Sequence, residues 1–366
     1  MTSPASPSWP GVLGRLAAGL DLDSDSAAWA VAQVMSGEAA PAQVGAFLLG
    51  VQAKGPTARE IAAAAAVMRD AALPINVPGV LLDVVGTGGD GSGSVNFSTM
   101  AAIVAVACGA TVVKHGNRAA SSKAGTADVL EELGVAIDLG PDAIASCARE
   151  AGIAFAFAQV LHPAMKHAAQ IRRELGVPTI FNTLGPLTNP ARPTAGLIGC
   201  ASERSAPLMA QVFADRGDRV FVVRGETGWD EISPYGVTQV WDTTRGGVIE
   251  ERLYAADLGM GGIAEGALVG GDAVTNAEVC RAAFGMPREH PDLALPSDID
   301  AVRAVVSANA AAALAANAAA HGADASAPLL DRIKAHLGDT RAAIESGAAG
   351  GILRRWIDTS RALARG

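Results

Sequence analysis

The sequence predicts an α/β protein: a small all-helical N-terminal domain precedes a larger domain with a central, mostly parallel sheet. Three observations support this reading. Residues 11–72 show helical periodicity and no convincing strand. From residue 80 onward, short apolar runs alternate with helix-like stretches, the pattern of a parallel sheet with crossover helices. The chain's 366 residues also exceed what one small core accommodates.

Taken in order, residues 1–10, MTSPASPSWP, are polar and proline-rich and read as a tail. Helical patterns follow in VLGRLAAGLDL, SAAWAVAQVMSG, PAQVGAFLLGVQAKG and TAREIAAAAAVMRDAAL. Ser24 and Asp25, Pro41 and Thr57 stand where helix N-termini are expected, and Gly37 and Gly55 where helices stop. PINVPG at 74–79 is the linker, which assigns 1–78 to the helical domain and 79–366 to the α/β domain. VLLDVV, ATVVK, VAIDL, IAFAFA, TAGLIGC, RVFVVRG and VTQVWD are the expected strands. Two stretches depart from the alternation: HPAMKHAAQIRRELG at 162–176 is helical, and VPTIFNTLGPLTNPARPT is loop-like with four prolines. Residues from about 176 to 198 are expected to leave the sheet and join the helical domain. From Asp300 the chain is alanine-rich and helical, broken near HGADASAP, and no internal repeat is present.

Half of the residues are hydrophobic but only 4% are aromatic, so alanine, valine and leucine must fill the core. A net charge of −9 argues against a general nucleic-acid binder, which carries a broad basic field. No run of about 18 uncharged apolar residues and no basic-then-apolar start is present, so neither a membrane span nor a leader is expected. Cys108, Cys147, Cys200 and Cys280 are widely spaced without a CxxC pair. They read as buried small residues in a reducing compartment, and a cytoplasmic location is expected. An anionic ligand would need its positive charge supplied locally.

The stretch LLDVVGTGGDGSGSVNFSTMAA, residues 81–102, runs from an apolar strand into five glycines within eight residues. Gly86-Thr-Gly88-Gly-Asp-Gly91 matches G-x-G-x-x-G. A dinucleotide fold, however, would open its helix within the fingerprint and end the next strand in an acidic residue. Here the helix starts near NFSTM, and the strand ATVV ends in Lys114. A Walker loop fails too, because no Lys-Ser/Thr follows the last glycine. A simple tight turn needs one or two glycines, not five. Backbone N–H groups presented to an anion at a helix N-terminus account for them better, with Asn96, Ser98 and Thr99 as added donors. VVKHGNRAASSKAGTADVLEELG, 112–134, then follows another strand and supplies Lys114, His115, Asn117, Arg118, Ser121, Ser122 and Lys123. Two strand-to-loop junctions at one carboxyl edge would form a local basic site, with amides from one loop and cations and hydroxyls from the other.

These two segments resemble the signature of the anthranilate phosphoribosyltransferase family. The likeness continues through HPAMKHAAQIRRELGVPTIFNTLGPLTNP, GWDEIS and GGDAVTNAEVCRAAFG, covering about Leu81 to Gly285 in order. The resemblance implies a fold of the nucleoside phosphorylase and phosphoribosyltransferase class. It implies transfer of a phosphoribosyl group from phosphoribosyl pyrophosphate to anthranilate in tryptophan biosynthesis, with pyrophosphate released. By that resemblance Gly86, Gly89 and Asp90 hold the pyrophosphate and ribose. Ser94, Asn96, Ser98 and Thr99 close around the same ligand. Lys114, His115, Asn117, Ser121 and Ser122 line a second wall that Thr126 completes. Ser98, Asp230 and Glu231 are the implied magnesium ligands, for about two ions per subunit. Arg172 pairs with the anthranilate carboxylate, which Gly86 and Asn117 also touch, while His162 and Met165 fall at channel positions and Arg173 faces away. A homodimer through the helical domain is implied as well.

The chemistry such a site needs agrees with the residues. Pyrophosphate leaves with several charges that oxygen-ligated divalent cations neutralise. The amine of anthranilate is neutral at pH 7 and needs little general-base help, so positioning and charge stabilisation dominate. The sequence offers no Ser-His-Asp order and no reactive-cysteine motif, so no covalent nucleophile is expected. Two rivals stand beside this reading: a pyrimidine nucleoside phosphorylase, which uses phosphate and no magnesium, and a non-catalytic relative that binds nucleic acid.

Overall fold

The computed structural model describes residues 6–119 and 123–365. Helix α1 (Trp9–Ala17) begins inside the expected tail, because Trp9 is buried against the rings of Trp29 and Phe47. Helix α2 (Ser24–Ser36) is capped by Asp23, whose side chain accepts from Ser26 N at 2.7 Å, and stops at Gly37 with φ 77°. Helix α3 (Pro41–Lys54) starts on proline, and α4 (Ala58–Asp70) on a reciprocal Thr57–Glu60 capping box.

The second part of the chain alternates as expected. Strand β1 (Leu82–Gly86) leads to α5 (Phe97–Ala107), β2 (Val112–Gly116) to α6 (Thr126–Leu133) and α7 (Pro141–Ala151), and β3 (Ile153–Phe157) to α8 (Ala158–Leu161). Helices α9 (Lys166–Leu175) and α10 (Phe181–Leu184) precede β4 (Ala195–Gly199), α11 (Ser205–Arg216), β5 (Arg219–Gly225), β6 (Val237–Asp242) and β7 (Ile249–Tyr254). Helices α12 (Ala273–Ala283), α13 (Ile299–Ala320), α14 (Leu329–Glu345) and α15 (Ala348–Ala364) finish the chain. The seven strands lie in the order β3-β2-β1-β4-β5-β6-β7. The first five are parallel, and β6 and β7 add antiparallel.

Two expectations are corrected here. VAIDL forms no strand: Val135, Ile137 and Leu139 are buried in alternation, but Ala136 N donates to Ser360 Oγ on α15 at 3.0 Å instead of to a sheet neighbour. Strand β7 went unread because its residues, IEERLY, are mostly exposed and polar at the sheet edge.

Alternate strand residues feed two cores. Phe221 and Val223 of β5 face one core, with α5, α13, α14 and α15. Val220 and Val222 face another, shared with α1–α4, α9, α10 and α11. Ile180, Phe181, Leu184 and Leu187 belong to this second core, so residues 180–187 pack with the N-terminal helices. Ala191 instead joins the first core, and residues 195–198 are part of strand β4, not of the helical side as expected. Helix α13 is long and apolar enough to cross a membrane, yet 78% of its apolar window is buried inside the protein. It is the central core helix.

Candidate active site

From β1 the chain moves outward to β2 and β3, then returns to place β4 on the opposite side of β1. Such a switch point opens a crevice beyond the carboxyl ends of the strands. Here those ends are Gly86 and Gly199, paired with each other. The turn 229–231 lies directly on them: a Cβ at Gly86 would stand 2.1 Å from Asp230 Oδ2, and one at Gly199 1.4 Å from the Asp230 carbonyl. That turn belongs to the connection between antiparallel β5 and β6, not to a strand–helix junction. Asn309 of α13 steadies it, accepting from Ile232 N at 3.0 Å.

The glycine loop rises beside this turn. Gly88, Gly89, Gly91 and Gly93 have φ of 69°, 78°, 70° and 61°, and nothing lies where their Cβ atoms would be. Glycine is therefore required by conformation and not by crowding. Gly88 N donates to Asp230 Oδ2 at 2.6 Å. The loop ends at Asn96, the N-cap of α5, so Ser98 and Thr99 lie in the helix's first turn. Thr99 is buried and its hydroxyl has no partner among the described residues.

Asp90, Asp230 and Glu231 each bring a carboxylate oxygen within 4.8 Å of the others. Burial, then the Asp90 charge, raises Asp230 to about 6. Burial followed by Asp230 and Asp90 lifts Glu231 well above the usual carboxylate range. Glu231 Oε2 is sealed from solvent and receives no hydrogen bond among the described residues. Three converging hard oxygens, one of them unsatisfied, fit a divalent cation such as magnesium. The sequence reading counted Asp230 and Glu231 in this group but not Asp90.

Lys114, expected to line the second wall, lies within strand β2 and points inward. It is wholly buried, donating to Ser98 Oγ at 2.9 Å and to the Val84 carbonyl. Burial pushes it down to about 8, opposed by the negative charges of Asp83, Glu231 and Asp230. Asp83 is raised by burial to about 6; it accepts from Asn189 Nδ2 at 2.8 Å and from His115 N at 3.3 Å. Asp83 and Asn189 escaped the sequence reading, although a single carboxylate inside the apolar run LLDVV was a usable signal.

His115 Nδ1 lies 3.0 Å from the Gly185 carbonyl, and its ring centroid is 5.1 Å from that of His162. Burial and then His162 push His115 down to about 3, and burial pushes His162 down to about 4. Both rings are neutral and lie where β2 meets the 162–165 turn and the 185 turn. Asn117 is exposed, its Oδ1 accepting from Arg118 N at 2.8 Å and Gln159 Nε2 at 3.3 Å. Arg118 is corrected as a source of free charge, because Asp128 and Glu131 both pair with it. Thr126 opens α6, and Ser94 forms a bridge with Val269. Ser121 and Ser122 lie outside the described residues.

Arg172 sits on α9, on the helical side, with its guanidinium 5.5 Å from the Phe181 ring centroid. Its nearest polar partner is Asn182 Oδ1 at 3.5 Å, and burial lowers its proton affinity. It makes no ion pair among the described residues. Arg173 is exposed, as expected, and Met165 is half-buried. The structure thus gathers Gly86, Asp90, Ser98, Lys114, Asp230 and Glu231 at the sheet edge, and sets Arg172 on the helical side.

Comparisons with known proteins agree on this architecture. The family described as "Glycosyl transferase family, a/b domain" matches residues 78–349, and "Glycosyl transferase family, helical bundle domain" matches 10–72. The chain is 50% identical over 358 residues to the anthranilate phosphoribosyltransferase of Saccharopolyspora erythraea, covering 98% of this chain and 97% of the relative. Among solved structures it resembles the anthranilate phosphoribosyltransferase of Thermus thermophilus, with TM-score 0.82 and 37% identity over 96% of this chain and 99% of that one. It also resembles the Saccharomyces cerevisiae enzyme in complex with PRPP and Mg, with TM-score 0.83 and 26% identity over 97% of this chain and 98% of that one.

Proposed function

This chain belongs to the glycosyl transferase family of anthranilate phosphoribosyltransferases, and we infer from that membership and from its site that it moves a phosphoribosyl group onto anthranilate. The donor is phosphoribosyl pyrophosphate, and the products are N-(5'-phosphoribosyl)anthranilate and pyrophosphate. The observation that carries this reading is the convergence of Asp90, Asp230 and Glu231 beside the glycine loop. A phosphorolytic enzyme has no use for such an acidic pocket without a cation.

Asp90, Asp230 and Glu231, with Ser98 at its edge, would hold magnesium, about two ions per subunit. When bound, magnesium neutralises negative charge on the pyrophosphate. Gly86, Gly89 and the start of α5 orient the phosphates, with Ser94, Asn96 and Thr99 as further donors. Lys114 lies under the cluster as a fixed charge and holds Ser98 in place. His115, Asn117, Ser121, Ser122 and Thr126 complete the second wall. Arg172 offers its planar fork to the anthranilate carboxylate, with Gly86 and Asn117 on the ring. Closure of the helical side against the sheet excludes water while positive charge grows on ribose C1. The amine then attacks directly, with no enzyme side chain bonded to the sugar.

We further propose a cytoplasmic homodimer that acts in tryptophan biosynthesis. Its function is tested by mixing pure protein with anthranilate, the donor and magnesium and following anthranilate's blue fluorescence. Fluorescence is expected to vanish only when all components are present. Persistent fluorescence with folded protein would overturn the assignment.

A further inference from the structure

We propose that Asn276, in the GGDAVTNAEVC segment, is a positioning residue for the phosphoribosyl donor. It locks the Asn96 amide so that N–H groups, not an oxygen, face the site. The inference rests on the donor assignment above.

The argument starts from a main-chain group. Asn276 lies in the first turn of α12 and is buried. Its Oδ1 accepts from Gly271 N at 2.7 Å. A backbone N–H can only donate, so the orientation of the Asn276 amide is not free. Its Nδ2 must point the other way, and it donates to Asn96 Oδ1 at 3.0 Å. Asn96 therefore spends its oxygen on Asn276. Its own Nδ2 has no hydrogen-bond partner among the described residues, and it stands at the head of α5 beside the glycine loop. A free N–H pair suits phosphate oxygens, whereas the flipped amide would present an oxygen and repel them.

The frame around this relay is stiff. Gly270 N donates to the Gly93 carbonyl at 2.7 Å, and Val95 N to the Leu268 carbonyl at 3.3 Å. Ser94 bridges Val269, whose carbonyl also accepts from Ser297 Oγ at 2.6 Å. A Cβ on Gly270 would fall 2.6 Å from the Ser94 carbonyl and 2.8 Å from Asn276 Oδ1, so only glycine allows this approach. Asp272 caps α12 through Thr275 N at 2.9 Å and fixes the turn that carries Asn276.

The test is a double-mutant cycle with Asn276→Asp and Asn96→Ala. Aspartate keeps the acceptor for Gly271 N but loses the donor for Asn96. Asn276→Asp is expected to raise the donor KM by about tenfold or more, with less than about twofold change in the anthranilate KM. In the Asn96→Ala background the same substitution should add less than about twofold, because the group it orients is gone. An equal factor in both backgrounds, or equal rises in both KM values, would assign Asn276 a purely structural role and overturn the proposal. If Asn276→Asp does not fold by circular dichroism, Asn276→Ser replaces it in the same cycle with the same two outcomes. An active wild type with an additive cycle overturns this inference alone, whereas a folded but inactive wild type overturns the functional assignment beneath it.

Discussion

Asp230 sits beside two other carboxylates, and its side chain accepts a hydrogen bond from Gly88 N. In the folded chain, burial and Asp90 raise its proton affinity to about 6, against 3.8 for an ordinary aspartate. Between those values the folded state binds more protons than the unfolded one, so stability falls as pH rises through this window. Above pH 6 the full cost of ionising Asp230 is present. Metal-free Asp230→Asn should therefore melt higher than the metal-free wild type at pH 7.5, by about 1–3 kcal/mol. That advantage should shrink below about pH 5, as the wild-type carboxyl regains its proton. Thermal unfolding in chelator across pH 4.5–8 reads this directly, and a pH-independent difference would contradict it. Turnover should be lost in the variant at every pH. Asp230 and Glu231 were legible in the sequence through their motif. Asp90's place beside them was not, because it lies 140 positions before Asp230 and only the fold closes that distance.

The ends of β1 and β4 form a platform of two glycines on which the 229–231 turn rests. Gly199 is held in register on both sides, by Gly86 and by Val223, so it cannot retreat from an added methyl. Gly199→Ala should destabilise the protein by about 2 kcal/mol or more and weaken magnesium-dependent turnover, because the Asp230 backbone must move. Urea denaturation together with a magnesium titration of the rate checks both effects. Gly89→Ala makes the opposite case: space is free at that position, and the cost of about 1 kcal/mol comes only from its φ of 78°. The parallel strands were readable as apolar runs because both their faces are buried. VAIDL misled because burial alternates there without a neighbouring strand to pair with, and β7 was hidden by its exposed edge.

At the scale of the molecule, the two cores on opposite faces of one sheet divide the labour. The carboxylate cluster and glycine loop stand at the sheet edge, while Arg172 is carried by α9 among the N-terminal helices. If the substrates divide in the same way, Arg172→Ala should raise the anthranilate KM by about tenfold or more and leave the donor KM within about twofold. Initial rates with each substrate varied decide it, and equal effects on both would place Arg172 elsewhere. Lysine at 172 should rescue only part of the loss, since a point charge replaces a planar fork.

By itself the sequence determined the helical start, the alternation of strands and helices apart from VAIDL and β7, the glycine loop and the acidic turn. All of these are written in local periodicity, caps and turn residues. Only the tertiary structure decided that Lys114 turns inward beneath the acids, that Arg118 is consumed by Asp128 and Glu131, and that Asn276 reaches back to Asn96. Side-chain direction and pairing depend on what the fold brings alongside. Contacts such as Gly88 to Asp230, 142 residues apart, leave no periodic trace in the chain.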